Sequence, residues 1–224
     1  MYDSLTRSVK EIRPLEPGHL RFYACGPTVY SYAHIGNFRS FLTADLIVRT
    51  ARALGWRTTF VSNITDVGHL TDDDINQGDS GEDKIGKKAA KEKKTPEEIA
   101  RFYEEAFRKD EEKINILPAN YFPRATAHVS QMIKIIEKLI EKGFAYEKNG
   151  NVFFDISRFP DYGKLSGNSL DKLKVGARLE EHPDKKNPWD FALWLRAPKE
   201  HLMKWDSPWG IGYPGWHIEC SAMS

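Results

Sequence analysis

The stretch YACGPTVYSYAHIGN, Tyr23–Asn37, decides how the rest of the chain is read. It closes an apolar run, LRFYAC at residues 20–25, whose aromatic and aliphatic content predicts a short buried strand. Gly26-Pro27 breaks that strand. From Ile35 to Leu54 the apolar residues Phe38, Phe41, Leu42, Leu46, Val48 and Ala53 recur at helical spacing, with Asp45 turned outward and Gly55 as the stop. TTFVSNI, residues 58–64, reads as a second strand. Strand, turn, helix and strand in that order form a βαβ unit. The fold class is therefore α/β, with the two strands parallel and joined by a right-handed crossover.

The helix start itself invites a ligand. Asn37 lies about one turn from His34, so both side chains face the same way at the helix N-terminus. The helix dipole there favours an anion, and a phosphate can be seated. Gly36 has no side chain, so a flat group such as adenine can approach the backbone closely. His34 can donate a hydrogen bond to a phosphoryl oxygen as charge builds. Equally, His34 can be a capping residue with no ligand, and the four-residue pattern alone leaves both readings standing.

Bulk composition narrows the field without choosing. The 224 residues are 40% hydrophobic, enough for a core, and the net charge of +1 neither demands nor excludes nucleic acid. The polar start MYDSLTRSVKEIRP does not read as a signal peptide, and no apolar run approaches the ~18 residues of a membrane span. Two cysteines, Cys25 and Cys220, make no disulfide framework and have no local zinc-finger spacing. Each alone reads as a small buried apolar group. His217 lies three residues before Cys220, on the same helix face, and is either a ligand or a packed ring. A reducing compartment, the cytoplasm, is the expected location.

The middle of the chain has a different texture. DVGHLTDDDINQGDSGEDK is acidic and glycine-rich, and KIGKKAAKEKK then places six lysines within Lys84–Lys94. This predicts an exposed loop and a charged helix, either a solvated surface or a contact for a polyanion such as RNA. Thr95-Pro96-Glu97-Glu98 is a helix start with a Thr cap, Pro in the first turn and Glu three after the cap. Ile99, Phe102, Tyr103, Ala106 and Phe107 follow as one inward stripe. A second helix runs from about Arg124 to Gly143, with Val129, Met132, Ile133, Ile136, Leu139 and Ile140 inward. FAYEKNGNVFFDI, 144–156, is a hairpin turning at Asn149-Gly150. Five of the six tryptophans crowd into 189–216, where DFALWLRA is a strand candidate. The expected division is 1–94, first half of a nucleotide-binding domain; 95–160, an inserted helical pair and hairpin; and 161–224, a return to that domain.

Seven blocks, in order, carry a resemblance: YACGPTVYSYAHIGN, NITDV, GEDKI, FPDYGKLSG, NPWDFALW, WDSPWG and GWHIECSAM. The chain resembles the cysteinyl-tRNA synthetase family of class I aminoacyl-tRNA synthetases from about Tyr2 to Ser224. His34-Ile35-Gly36-Asn37 looks like the HIGH signature, with Asn in the last place. The resemblance implies a Rossmann-type catalytic domain split by a connective insertion. It implies activation of L-cysteine by ATP, used with Mg2+, and transfer to tRNA(Cys) by a cytoplasmic monomer with no membrane association. His34 and Asn37 would be catalytic, and with Gly36 they would bind ATP. Cys25, Gly26, Thr65 and Trp216 would face the substrate cysteine. Cys25 and Cys220 would be two ligands of one Zn2+, which selects the substrate thiolate over serine. The family's other two zinc ligands and its KMSKS loop have no counterpart here. The resemblance thus implies an incomplete form, expected neither to make adenylate nor to hold zinc tightly by itself. Two alternatives stay open: a ligase joining cysteine to an amino sugar in mycothiol synthesis, and a non-catalytic remnant that binds RNA or a partner.

Overall fold

The structure is a computed structural model and describes residues 1–67, 84–167, 182–199 and 201–224. The acidic stretch at 68–83, and with it most of the GEDKI block, lies outside the described residues. Two short antiparallel strands, β1 (Tyr2–Asp3) and β2 (Ser8–Val9), open the chain. Then β3 (His19–Ala24) runs into helix α1 (Ile35–Ala53), and β4 (Arg57–Ser62) returns beside β3. The two strands pair in parallel, from His19 opposite Arg57 to Ala24 opposite Ser62. The expected βαβ unit is present.

The charged helix α2 (Lys84–Glu92) packs on α3 (Pro96–Lys113), whose start carries the reciprocal Thr95–Glu98 capping box. After α3 the chain comes back to the parallel sheet. Ser62 N–H donates to Tyr121 carbonyl at 3.0 Å, Ile64 N–H to Pro123 carbonyl at 2.8 Å, and the bridges Val61–Tyr121 and Ile64–Arg124 are parallel. The segment around 120–125 thus covers the second edge of β4, a pairing that PANYFPRAT does not announce. A single 3₁₀ turn at Thr126–His128 leads into α4 (Val129–Glu141).

The second sheet is antiparallel, in the order β5 (Ala145–Lys148), β6 (Asn151–Phe154), β7 (Phe191–Arg196), β8 (Gly212–Pro214). Asn149 and Gly150 both take positive φ, 55° and 84°, as the two-residue hairpin turn requires. Trp194 at the centre of β7 is fully buried. Helix α5 (Trp216–Met223) leaves β8 at once and packs on α4 and β7.

Two expectations about helix faces are corrected. Asp45, read as outward, is only 4% exposed. Its carboxylate accepts Leu117 N–H at 3.0 Å and Arg49 Nε–H at 2.7 Å, so a pairing across the fold, not hydropathy, sets the inner face of α1. Leu42, Leu46 and Ala53 lie on the exposed side, and Phe38, Ala44, Val48 and Ala51 fill the core. Likewise Phe102 of α3 is exposed, while Ile99, Ala100, Tyr103, Glu104 and Phe107 are buried. The inner side of α1 meets α3 through stacked rings, Phe38 on Phe107 at 5.7 Å.

Candidate active site

The C-terminal ends of β3 and β4 are stitched together by one buried side chain, Asn63. Its Oδ1 accepts the Tyr23 hydroxyl at 2.8 Å and Gly26 N–H at 2.9 Å, and its amide donates to Thr65 Oγ1 at 3.0 Å. Backbone pairing continues the join: Val29 N–H donates to Thr65 carbonyl at 3.1 Å and Thr65 N–H to Pro27 carbonyl at 3.0 Å. A Cβ at position 26 would lie 1.8 Å from the Asn63 carbonyl oxygen, so only glycine lets the two loops approach. Asp66 extends the join, accepting both the backbone N–H and the hydroxyl of Thr126.

This stitching sets Cys25 at the strand end. Across from it stands Cys220 of α5, with Sγ–Sγ at 3.7 Å although 195 positions separate them. Both thiols are free, Cys25 exposed and Cys220 half-buried, so neither is the buried apolar group expected of it alone. The Tyr23 hydroxyl sits beside both of them, and burial raises its pKa. Burial also pushes the Cys220 thiol up. Glu219, the residue before it, is fully buried, and burial holds its carboxyl well above the usual range, with Cys220 and Asp66 adding in the same direction. The His217 ring is exposed, edge-on to Phe191 at 4.9 Å and stacked on Trp216 at 5.8 Å. Trp216 itself is half exposed, so core packing does not account for it.

The sulfur spacing fits a metal. Two sulfurs bound at ~2.3 Å to a tetrahedral zinc stand about 3.8 Å apart. Among the described residues, no group of three or more His, Cys, Asp or Glu is placed to hold a metal ion, so the two thiols supply two corners and no third is assembled.

At the helix start, His34 is the N-cap of α1 with extended backbone, φ −82° and ψ 154°. Its Nδ1 accepts Gly36 N–H at 3.1 Å, and Asn37 Oδ1 accepts His34 N–H at 2.8 Å. The capping reading is therefore realised, and it has a chemical consequence. An Nδ1 that accepts a hydrogen bond puts the proton of the neutral ring on Nε2, which becomes a donor. A Cβ at Gly36 would approach His34 Nδ1 to 3.3 Å, so the glycine keeps room for this ring as well. His34, Gly36 and Asn37 are all exposed.

The structure thus brings Cys25 to Cys220, Gly26 to Thr65, and His34 to Gly36 and Asn37. Trp216 stands four residues before Cys220, at the first turn of the same helix. Tyr23, Asn63, Asp66 and Glu219 belong to the same neighbourhood and were not singled out from sequence. A polar residue ending an apolar strand, as Asn63 does after TTFVS, is the one available signal.

Residues 11–224 match the family described as tRNA synthetases class I (C) catalytic domain. The cysteine–tRNA ligase of Chlorobium luteolum is 50% identical over 225 residues, covering all of this chain and 46% of that protein. The ligase of the same name from Deinococcus radiodurans is 48% identical over 224 residues, covering 44% of its length, and one from Thermus thermophilus is 46% identical over 224, covering 46%. The chain spans about half the length of the curated relatives it matches.

Proposed function

The chain belongs to the family of class I tRNA synthetase (C) catalytic domains, and from that membership we propose that it forms the N-terminal catalytic part of a cysteine–tRNA ligase. The reaction is attack of the cysteine carboxylate on the α-phosphorus of ATP, used with Mg2+. A P–O bond forms to the carboxylate oxygen as the α,β-phosphoanhydride P–O bond breaks and pyrophosphate leaves. A terminal hydroxyl of tRNA(Cys) then attacks the cysteinyl carbonyl, the anhydride C–O bond breaks, and AMP and the hydroxyl proton are released. The nucleophile is the substrate's own carboxylate, so the protein's part is placement and charge stabilisation. The observation that carries the reading is the approach of Cys25 and Cys220 to 3.7 Å, made between the loop that leads to the His34-capped helix and helix α5.

In this reading the Nε2–H of His34 donates to a phosphate oxygen while Nδ1 keeps α1 capped. Asn37 holds the cap and the ATP phosphates, and Gly36 leaves space for the nucleotide. Thr65, fixed by Asn63, and Gly26 line the side facing the amino acid, and the half-exposed Trp216 closes it. Zn2+, when bound, would be held by Cys25 and Cys220 and would supply a Lewis acid for the substrate thiol. Serine, a harder and more basic donor, would be discriminated against there.

A Rossmann-type sheet split by an insertion, with divisions at residues 94 and 160, is part of the same proposal, as are a monomeric state and a cytoplasmic location. Two pairings bear on where the seams fall. Residues 121–124 pair with β4, and β6 pairs with β7 across residue 160. Among the described residues no helix is long and apolar enough to cross a membrane.

The test is calorimetric binding of a non-hydrolysable cysteinyl-adenylate with Zn2+ in excess, with its seryl counterpart as control. The reading expects measurable binding of the cysteinyl compound with a clear preference over the seryl one. Equal affinity for the two, or binding of neither, sinks it.

A further inference from the structure

At the corner where α2 meets α3, large rings face solvent. Tyr32 is 63% exposed and Phe102 46% exposed. They stand edge to face with centroids 6.2 Å apart, and both lean on the buried ring of Tyr103, at 5.2 Å from Tyr32 and 5.1 Å from Phe102. Cations ring them. Lys94 Nζ lies 5.2 Å from the Phe102 centroid and Lys88 Nζ 5.3 Å from that of Tyr103. Residues 88–94 read KAAKEKK, four lysines against the single Glu92, and Lys91, Lys93 and Lys94 are exposed. Exposed aromatic surface anchored from below and bordered on one side by lysines is an unusual use of phenylalanine, which normally buries. The patch also borders the site, since Tyr32 is two residues before the His34 cap.

We propose that Tyr32 and Phe102, with Lys88, Lys91 and Lys94, form a landing platform for the unpaired 3′ end of the RNA substrate beside the catalytic helix. This rests on the ligase reading and adds to it the place where the acceptor strand is held. Bases have π-faces whatever their identity, so rings held rigidly at the surface can stack on them, and lysines meet phosphates without reading sequence. The six-lysine run and the exposed rings thus acquire one purpose. The run supplies sequence-independent attraction, and the rings favour single-stranded over duplex ends.

Three labelled probes separate the outcomes: a tRNA(Cys) transcript, a single-stranded oligonucleotide of its 3′-terminal sequence, and a blunt duplex of equal charge. Anisotropy titrations compare the 224-residue chain with the Tyr32→Leu/Phe102→Leu pair and with Lys88→Gln/Lys91→Gln/Lys94→Gln. Thermal melts confirm that these surface variants stay folded. The platform expects the aromatic pair to lose about tenfold or more in affinity for the tRNA and the single strand, with the duplex unchanged. It expects the lysine variant to weaken all three probes and to flatten the salt dependence by about one unit for each phosphate no longer neutralised. Unchanged affinity for the single strand in the aromatic pair overturns the proposal and marks the rings as covered by protein instead. An equal loss on the duplex overturns it too, because charge alone would then explain binding. Binding of the cysteinyl-adenylate analogue, read on the same variants, stays at the parent level. Its failure in the parent chain would strike the ligase reading, and its persistence with unaltered RNA affinity would strike the platform alone.

Discussion

Cys25 Sγ and Cys220 Sγ lie 3.7 Å apart, a separation far too long for a disulfide and close to the edge of a tetrahedral zinc–thiolate site. Metal binding must displace thiol protons, and the raised pKa of Cys220 makes that harder at low pH. Cobalt(II) added in excess at pH 8 is therefore expected to give a thiolate charge-transfer band. The band should weaken by roughly half in Cys25→Ser or Cys220→Ser, vanish in the double variant, and fade as pH falls toward 6. A band unaltered by either substitution would remove these thiols from any metal site.

Asn63 concentrates three hydrogen bonds in one buried side chain. Asn63→Ala would leave the Tyr23 hydroxyl and Gly26 N–H without that acceptor. The expected cost is about 2–4 kcal/mol, the lower part of the range for two stranded groups at about 1–3 kcal/mol each, because both are half-buried. Urea unfolding measures it. A loss under about 1 kcal/mol would mean that the loops are held mainly by their backbone pairing.

Gly26→Ala tests the same junction sterically. The new methyl would meet the Asn63 carbonyl at 1.8 Å, a backbone atom that cannot swing aside. The strand ends must separate, carrying Cys25 away from Cys220. The expected result is loss of several kcal/mol of stability, as for an overpacked core, together with loss of dithiol capture by a trivalent arsenical. Capture at the parent rate would show that the loops yield without moving the thiols.

The framework of the fold was legible because its signals are local. The spacing around α1, the capping box at Thr95 and the Asn149-Gly150 turn each fix an element with residues that are neighbours in sequence. What escaped is set by distant partners. Asp45 is buried because Leu117 supplies a backbone donor 72 positions away, and residues 120–125 act as a strand only because β4 offers an edge. The site divides the same way. His34, Gly36 and Asn37 form one contiguous motif, whereas the supports Asn63, Asp66 and Glu219 gain meaning only once β3, β4 and α5 converge.

Glu111 on α3 carries a pH dependence of definite sign. Burial raises its pKa from 4.5 to about 7, with Asp45 adding to the effect and Arg108 opposing it. Between those values the native state holds a proton that the unfolded chain has released, so stability falls as pH rises from about 4.5 through about 7. Glu111→Gln removes this penalty. The variant is expected to exceed the parent by on the order of 1 kcal/mol at pH 8, after discounting for partial exposure, and to match it near pH 4.5. Parallel melting curves at both ends of the range decide it.

His34 holds two roles on two nitrogens, and substitution can part them. Nδ1 caps α1 by accepting Gly36 N–H, while Nε2–H is the donor assigned to phosphate. Asparagine caps helices well, so His34→Asn should keep the helix start within about 0.5 kcal/mol of the parent, whereas His34→Ala should cost about 1 kcal/mol. If the ring acts only as a cap, nucleotide affinity will follow that stability order and survive in the asparagine variant. If Nε2–H meets the phosphates, both variants will lose nucleotide affinity, by about tenfold for a hydrogen bond to a charged group. Calorimetric titration with ATP and Mg2+, set beside urea unfolding of the same three proteins, separates the two cases. Asparagine retaining parent affinity would reduce His34 to a structural residue.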